Sequence, residues 1–198
     1  MKNIQRMLAL CFCVLALAQA ARTQDKAKTE MAAPTTGFRA ELLKDFSDVE
    51  SKVVDLAKAM PQEKYTWRPM ADVRSVCEVY IHIAVWNYLF PKYMGMKAPE
   101  GISEDMEKTI SEKRKATEML TESFKNFREA IINTSDADLE KQVKVFGQDM
   151  TYRALLMSAV THMHEHLGQS IAYARMNGVV PPWTAAEQAA LKKEQQKK

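Results

Sequence analysis

Four long stretches of this sequence place apolar residues three or four positions apart, and this spacing limits the possible fold more than any other feature. In the first stretch, residues 37–60, the apolar positions form one stripe along a helix. They are Phe38, Leu42, Phe46, Val49, Val53, Leu56 and Met60. Helices with such stripes bury them against one another, so the pattern predicts an all-α protein built as a bundle.

The second stretch, residues 75–94, has a recognisable beginning and end. Ser75 and Glu78 have the spacing of a capping box, in which a hydroxyl and a carboxylate each accept a hydrogen bond from a free backbone amide at a helix N-terminus. Pro91 lacks a backbone donor and is expected to kink or loosen the last turn.

Two further helices are expected over residues 103–133 and 151–177. Glu104, Asp105 and Glu107 at the start of the third helix are favourably placed against the positive end of its dipole. Between the two helices, Val143 and Val145 alternate with polar residues before Gly147, a pattern typical of either a small β-hairpin or an extended connection ahead of the last helix.

The first twenty residues have the organisation of a secretory signal peptide. Lys2 and Arg6 precede an apolar run over residues 7–17, and small residues follow up to Ala20. This run is too short to span a bilayer, and no other stretch has the required length. The sequence therefore predicts cleavage near Ala20 and an exported protein, periplasmic or secreted, with no membrane span.

The remaining chain is expected to form one domain. We predict a flexible linker over residues 21–34, a bundle domain over residues 35–184 and a polar, frayed tail over residues 185–198. Without the signal peptide, 26 basic and 25 acidic residues remain. This balance gives no basic face, so we expect no nucleic-acid partner.

One cysteine remains in the mature chain. Cys11 and Cys13 leave with the signal peptide, so Cys77 has no partner for an internal disulfide. It lies among apolar residues of the second helix, which predicts a buried, unreactive thiol.

The four histidines lie in the second and fourth helices, and three of them fall on apolar stripes. His162 and His166 are one turn apart on the fourth helix, and His82 is on the inner face of the second, whereas His164 belongs on the opposite face. Three neutral imidazoles that meet can hold one metal ion and leave a position open. Histidines at core positions are also common as hydrogen-bonded structural residues, and the spacing leaves both interpretations open.

Sequence motifs along nearly the whole mature chain resemble those of the DinB/YfiT-like family. They are residues 65–69 (YTWRP), 75–84 (SVCEVYIHIA), 162–169 (HMHEHLGQ), 175–178 (RMNG) and 181–183 (PPW). The resemblance implies a four-helix bundle with a long crossover connection, often dimeric, that binds a divalent metal ion through three histidines. Carried over by position, the ligands are His82, His162 and His166.

The resemblance also implies a metal-dependent enzyme that acts on a small-molecule substrate. Such enzymes transfer a small thiol to an electrophile, or isomerise or hydrolyse a small substrate. Because cytoplasmic thiols are scarce outside the cell, we expect a hydrolase that uses a metal-activated water rather than a thiol transferase. Zinc is the default metal, with nickel or manganese as alternatives. Gln169 and Glu165 are candidates to orient an imidazole, and no residue is identified as catalytic.

A second function class is a non-catalytic bundle that binds a metal or another ligand. Four protein ligands around the ion would favour it, because structural zinc sites are closed. A haem-binding bundle is a third class, but the chain has no Cys-x-x-Cys-His attachment motif.

Overall fold

The computed structural model describes residues 32–197. The predicted signal peptide and most of the predicted linker lie outside these residues. Among the helices described, none has the length and apolar character needed to cross a membrane.

Four long helices, two short ones and one hairpin make up the described chain. The helices are α1 (Gly37–Ala59), α2 (Val76–Tyr93), α3 (Met106–Thr109), α4 (Lys113–Asn133), α5 (Tyr152–Met176) and α6 (Pro182–Gln195). The strands are β1 (Gln142–Val145) and β2 (Gln148–Thr151), and single 3₁₀ turns cover Gln62–Lys64 and Asp138–Glu140.

The long helices form the predicted four-helix bundle with a crossover connection. Helices α1 and α2 each pack against both α4 and α5. Although α1 and α2 are consecutive, they therefore occupy diagonal corners, and residues 60–75 connect them across the bundle. The predicted stripe of α1 is in the core, since Phe46, Val49, Val53 and Leu56 are fully buried.

The capping box predicted for α2 is present. The Glu78 backbone amide donates to the Ser75 hydroxyl at 3.2 Å, and the Ser75 amide donates to the Glu78 carboxylate at 2.8 Å. Pro91 lies in the last turn, and the helix continues past it to Tyr93. Helix α2 is thereby fixed at the end that leads to His82.

The prediction of one helix over residues 103–133 was wrong. The chain forms α3, leaves helical geometry at Ile110 and starts α4 only at Lys113. Tertiary contacts hold this break: the Lys113 backbone amide donates to Gln62 Oε1 at 2.7 Å, and Lys113 Nζ donates to the Met60 carbonyl at 2.7 Å. The break separates α3 from α4, and α3 packs against α2.

The predicted hairpin joins β1 and β2 through a two-residue turn. The strands are antiparallel, with Val145 opposite Gln148. Phe146 and Gly147 between them both have positive φ, 50° and 80°, as a type I′ turn requires. This conformation is easy for Gly147 but costs a residue with a side chain about 1–2 kcal/mol.

The C-terminal tail, which we expected to be frayed, is helical up to Gln195. The chain turns at Gly178, whose φ is 74°, and Pro182 then occupies the first turn of α6, where its missing amide is no disadvantage. Helix α6 continues to Gln195 although its residues from 185 onward are exposed. Its first turn carries Trp183, which packs on the core.

Candidate metal centre

The three predicted ligands meet between α2 and α5. His82 comes from the middle of α2, and His162 and His166 lie one turn apart on α5. Their Nε2 atoms converge: His82 Nε2 is 2.9 Å from His162 Nε2, which is 3.2 Å from His166 Nε2. The donor atoms of all three lie within 4.8 Å of one another, so this cluster could hold a metal ion.

The fourth histidine is outside this cluster. His164 lies on the face of α5 that looks toward α1, where its Nε2 is 3.2 Å from a carboxylate oxygen of Asp45. Its side chain is 36% exposed, whereas that of His82 is 10% exposed. The helix phase inferred from the sequence is therefore correct both for the three converging histidines and for His164.

A buried carboxylate holds the far side of the His82 ring. His82 Nδ1 is 2.5 Å from Glu107 Oε1, and the other carboxylate oxygen accepts a hydrogen bond of 2.7 Å from Arg74 Nε. Glu107 is only 6% exposed although it lies on the short helix α3. Because the carboxylate accepts a hydrogen bond from Nδ1–H, His82 presents the lone pair of Nε2 to the cluster.

An amide does the same for His166. Gln169 Oε1 lies 2.9 Å from His166 Nδ1, and Gln169 Nε2 donates to the Tyr173 hydroxyl at 2.9 Å. That hydroxyl donates in turn to the backbone carbonyl of Arg74 at 3.1 Å. The amide nitrogen of Gln169 is thus engaged elsewhere, so its oxygen accepts from His166 Nδ1–H, and Nε2 carries the lone pair.

These contacts form one continuous chain of hydrogen bonds, which we call the Arg74 network. It runs from His82 through Glu107 to the Arg74 side chain, and from the Arg74 carbonyl through Tyr173 and Gln169 to His166. One residue, Arg74, thereby supports two of the three imidazoles.

Burial keeps the imidazoles neutral. It lowers the pKa of His162 to about 3, with the neighbouring His166 and His82 adding to the effect. Burial also lowers the pKa of His82, although the hydrogen bond that His82 donates to Glu107 opposes this effect. It likewise lowers the pKa of His166 against the hydrogen bond that His166 donates to Gln169. Near pH 7 all three rings are therefore in the unprotonated form that coordinates metals.

The donor set fits a metal ion. Two lone pairs, on Nε2 of His82 and Nε2 of His166, face the Nε2 of His162 at hydrogen-bond distance. A proton on His162 could be donated to only one of them, whereas a cation among the three would satisfy all. His162 Nδ1 is buried and has no hydrogen-bond partner among the described residues, so the ring is not held there by a structural hydrogen bond.

A polar cavity of about 700 Å³ borders the Arg74 network. Arg74, Glu107 and Gln169 form part of its wall, together with Arg68 and Lys108. Glu107 and Gln169 bind the Nδ1 atoms of the rings, so a solute in this cavity meets the groups behind the imidazoles rather than the converging Nε2 atoms.

Aromatic side chains flank the cluster as well. The Trp86 ring centroid lies 6.3 Å from that of His82 and 6.4 Å from that of His162. Phe90 lies 5.7 Å from His162, edge to face. Trp86 is buried and also borders the histidines.

Sequence reasoning missed the two charged members of the network. Glu107 was interpreted only as a favourable charge at a helix N-terminus, and Arg74 received no role. No sequence signal singles out Glu107, because Glu104 and Asp105 belong to the same acidic segment and only the tertiary contact with His82 sets Glu107 apart. Of the two candidates to orient an imidazole, Gln169 makes the contact with His166, and Glu165 is exposed.

Comparisons with known proteins agree with this architecture. A DinB-like protein from Bacillus cereus ATCC 10987 has a TM-score of 0.64 at 18% identity, covering 71% of this chain and 93% of its own. A DinB-like protein from Bacillus subtilis has a TM-score of 0.57, also at 18% identity, covering 71% and 94%. Among curated proteins, none matches.

At such identities the two structures support the fold alone, and the sequence match decides the family. The DinB family matches over residues 27–197, which includes all four long helices, the hairpin and the three converging histidines. The chain belongs to the DinB family.

Proposed function

We propose that this protein binds one divalent metal ion through Nε2 of His82, His162 and His166 and is an exported enzyme that hydrolyses, or transfers a group of, a small molecule. Zinc is the first candidate for the ion, with nickel and manganese as alternatives. The convergence of three neutral imidazoles, two with their Nδ1 atoms already engaged, is the observation that carries the proposal.

The number of ligands supports catalysis over a purely structural ion. Within residues 32–197, the cluster of possible ligands contains these three histidines and no fourth side chain. The carboxylate of Glu107 binds the Nδ1 side of His82, away from the converging Nε2 atoms. Three protein ligands leave a coordination position for water or substrate, which is typical of catalytic zinc sites.

The chain's own groups prepare the ligands. Glu107 holds the proton of His82 at Nδ1 and makes the ring a stronger donor, while Arg74 balances the carboxylate charge. Gln169 fixes the ring of His166 without adding charge. When bound, the ion would supply Lewis acidity, which makes water or a thiol a competent nucleophile near pH 7.

Metal analysis of the mature protein, residues 21–198, tests the binding step. We expect about one equivalent of a divalent metal. The double variant His162→Ala/His166→Ala should lose it and keep its helical circular dichroism. His164→Ala is the matched control, because this histidine lies on the same helix and contacts Asp45 instead. Metal retained by the double variant would refute the ligand assignment.

Turnover assays separate the enzyme from the non-catalytic alternative. We expect zinc-loaded protein to hydrolyse an ester or amide, or to transfer a thiol to an electrophile, and the metal-free protein to do neither. Stoichiometric metal with no turnover across these reactions would favour the metal-binding bundle.

Export and oligomeric state are part of the same proposal. Cell fractionation should place the protein outside the cytoplasm, with a mass that lacks residues 1–20. Retention of the full-length chain in the cytoplasm would contradict export and would make a thiol the preferred nucleophile again. Light scattering of the purified protein tests the homodimer that the family resemblance implies.

A further inference from the structure

The hairpin turn carries an aromatic residue in a conformation that does not suit it. Phe146 has a φ of 50° and is 69% exposed. At this position of a type I′ turn, Asn or Asp followed by Gly is the favoured pair, because their short side chains tolerate positive φ. Gly147 follows Phe146, so the chain departs from the favoured pair at one residue only. A strained residue that also exposes an aromatic ring suggests a function.

The ring of Phe146 continues a row of aromatic side chains that reaches the histidines. Its centroid is 5.4 Å from Trp86 and 5.9 Å from Tyr93, edge to face in both cases. Trp86 lies 5.0 Å from Phe90 and borders His82 and His162. We call Phe146, Trp86, Phe90 and Tyr93 the aromatic wall.

The hairpin holds Phe146 in this place. Val145, the last residue of β1, is 2% exposed and belongs to the core, and β1 packs against α2. The turn that follows is therefore anchored beside α2, which carries Trp86, Phe90 and Tyr93. Trp86 and Phe90 are buried and Tyr93 is half-buried, so the wall is most accessible at Phe146.

We propose that the aromatic wall binds the apolar part of the molecule that reacts at the metal centre, with an aromatic ring as its best occupant, and that Phe146 determines this preference. The inference rests on the proposed function and names its substrate class. A small molecule suits the wall better than a protein partner, because one exposed ring at a turn is far smaller than a stable protein interface. Aromatic side chains with a few polar groups nearby are typical of small-molecule sites.

Two zinc-binding probes that differ only in their apolar part test this inference. Acetohydroxamate and benzohydroxamate share the metal-binding group, and their affinities for the zinc-loaded mature protein can be measured by calorimetry. We expect benzohydroxamate to bind about tenfold more tightly, since its ring is removed from water against the wall.

Phe146→Asn and Phe146→Ala should reduce that preference to within about twofold and leave acetohydroxamate binding unchanged. Asn is well suited to the turn, so Phe146→Asn should keep or raise the melting temperature while it loses the preference. Met70→Ala is the matched control, because Met70 is also 69% exposed but lies in the connection between α1 and α2. It should keep the full preference.

Equal affinities of the wild type for both probes would overturn the inference, as would a preference that survives in both Phe146 variants. So would zinc-loaded protein that binds neither probe. If Phe146→Asn loses helical content together with the preference, the residue is structural and the inference is wrong. Failure to take up zinc at all would refute the proposed function, and zinc uptake is measured first so that the two failures remain distinct.

Discussion

At the scale of single residues, Glu107 is a buried carboxylate that supports one of the three histidines from behind. Its carboxylate joins a ring nitrogen of His82 to the guanidinium of Arg74, inside the protein. Such partners of metal ligands keep the ligating nitrogen unprotonated and the ring in position. A substitution at Glu107 should therefore change the affinity for the metal although this residue is not a ligand.

Glu107→Gln keeps the size of the side chain and an acceptor oxygen but removes the charge. We expect zinc affinity to fall about 10–100-fold in a chelator competition assay, with unchanged helical circular dichroism. Glu104→Gln is the control, because Glu104 is an exposed carboxylate three residues away. Equal affinities of wild type and Glu107→Gln would show that the carboxylate does not support the ligand.

Cys77 gives a second prediction at this scale. It is 1% exposed, and burial, followed by the charge of Glu78, raises the pKa of its thiol to about 12. The thiolate is the reactive form, so iodoacetamide at pH 8 should label the folded protein very slowly and the urea-unfolded protein rapidly. Rapid labelling of folded protein would contradict the burial of this side chain.

At the scale of elements, the N-terminus of α2 depends on Glu78. Burial alone would raise the pKa of this carboxyl, but hydrogen bonds from Arg68 and from the Ser75 amide hold the pKa below its ordinary value. A carboxylate with a lowered pKa stabilises the folded state above its unfolded-state pKa, and this stabilisation disappears as the pH falls through the folded-state value.

Glu78→Gln should therefore lower the free energy of unfolding by about 1 kcal/mol at pH 7 and by much less at pH 3. Urea unfolding of both proteins at the two pH values measures this difference. A deficit of the same size at pH 3 would mean that shape, rather than charge, explains the role of Glu78 at the start of α2.

The start of α2 and the region of α3 show what the sequence can predict about elements. The capping box is local, so Ser75 and Glu78 identify the helix start without any tertiary information. The break at Ile110 depends on Gln62 and on carbonyl groups at the end of α1, about fifty residues away. The spacing of apolar residues contains no information about such long-range contacts. For the same reason it could not predict the contact between Glu107 and His82. Helix phase, by contrast, was enough to separate His164 from the other three histidines.

At the scale of the whole molecule, a metal ion bound between α2 and α5 should stabilise the fold. An ion present at 100 times its dissociation constant contributes about 2.7 kcal/mol when it binds only the folded state. For a domain of this size we expect zinc to raise the melting temperature of metal-free protein by about 5–10 °C. Calorimetric scans with zinc and then with excess chelator measure the rise and its reversal.

The double variant His162→Ala/His166→Ala is the control for this experiment. Its melting temperature should not respond to zinc. A rise of the same size in that variant would place the stabilising ion elsewhere on the protein.

The distance along the chain between the ligands has a consequence for how the metal is acquired. His82 and His162 are 80 residues apart, and they meet only where α5, the last of the long helices, packs against α2. An unfolded chain therefore has no such site. If the chain is exported unfolded before the bundle forms, as a signal peptide of the general secretory type entails, it loads its ion only after export. The identity of the bound metal would then depend on which ions are available outside the cytoplasm. The same bundle folded in the cytoplasm would be exposed to different concentrations of these ions.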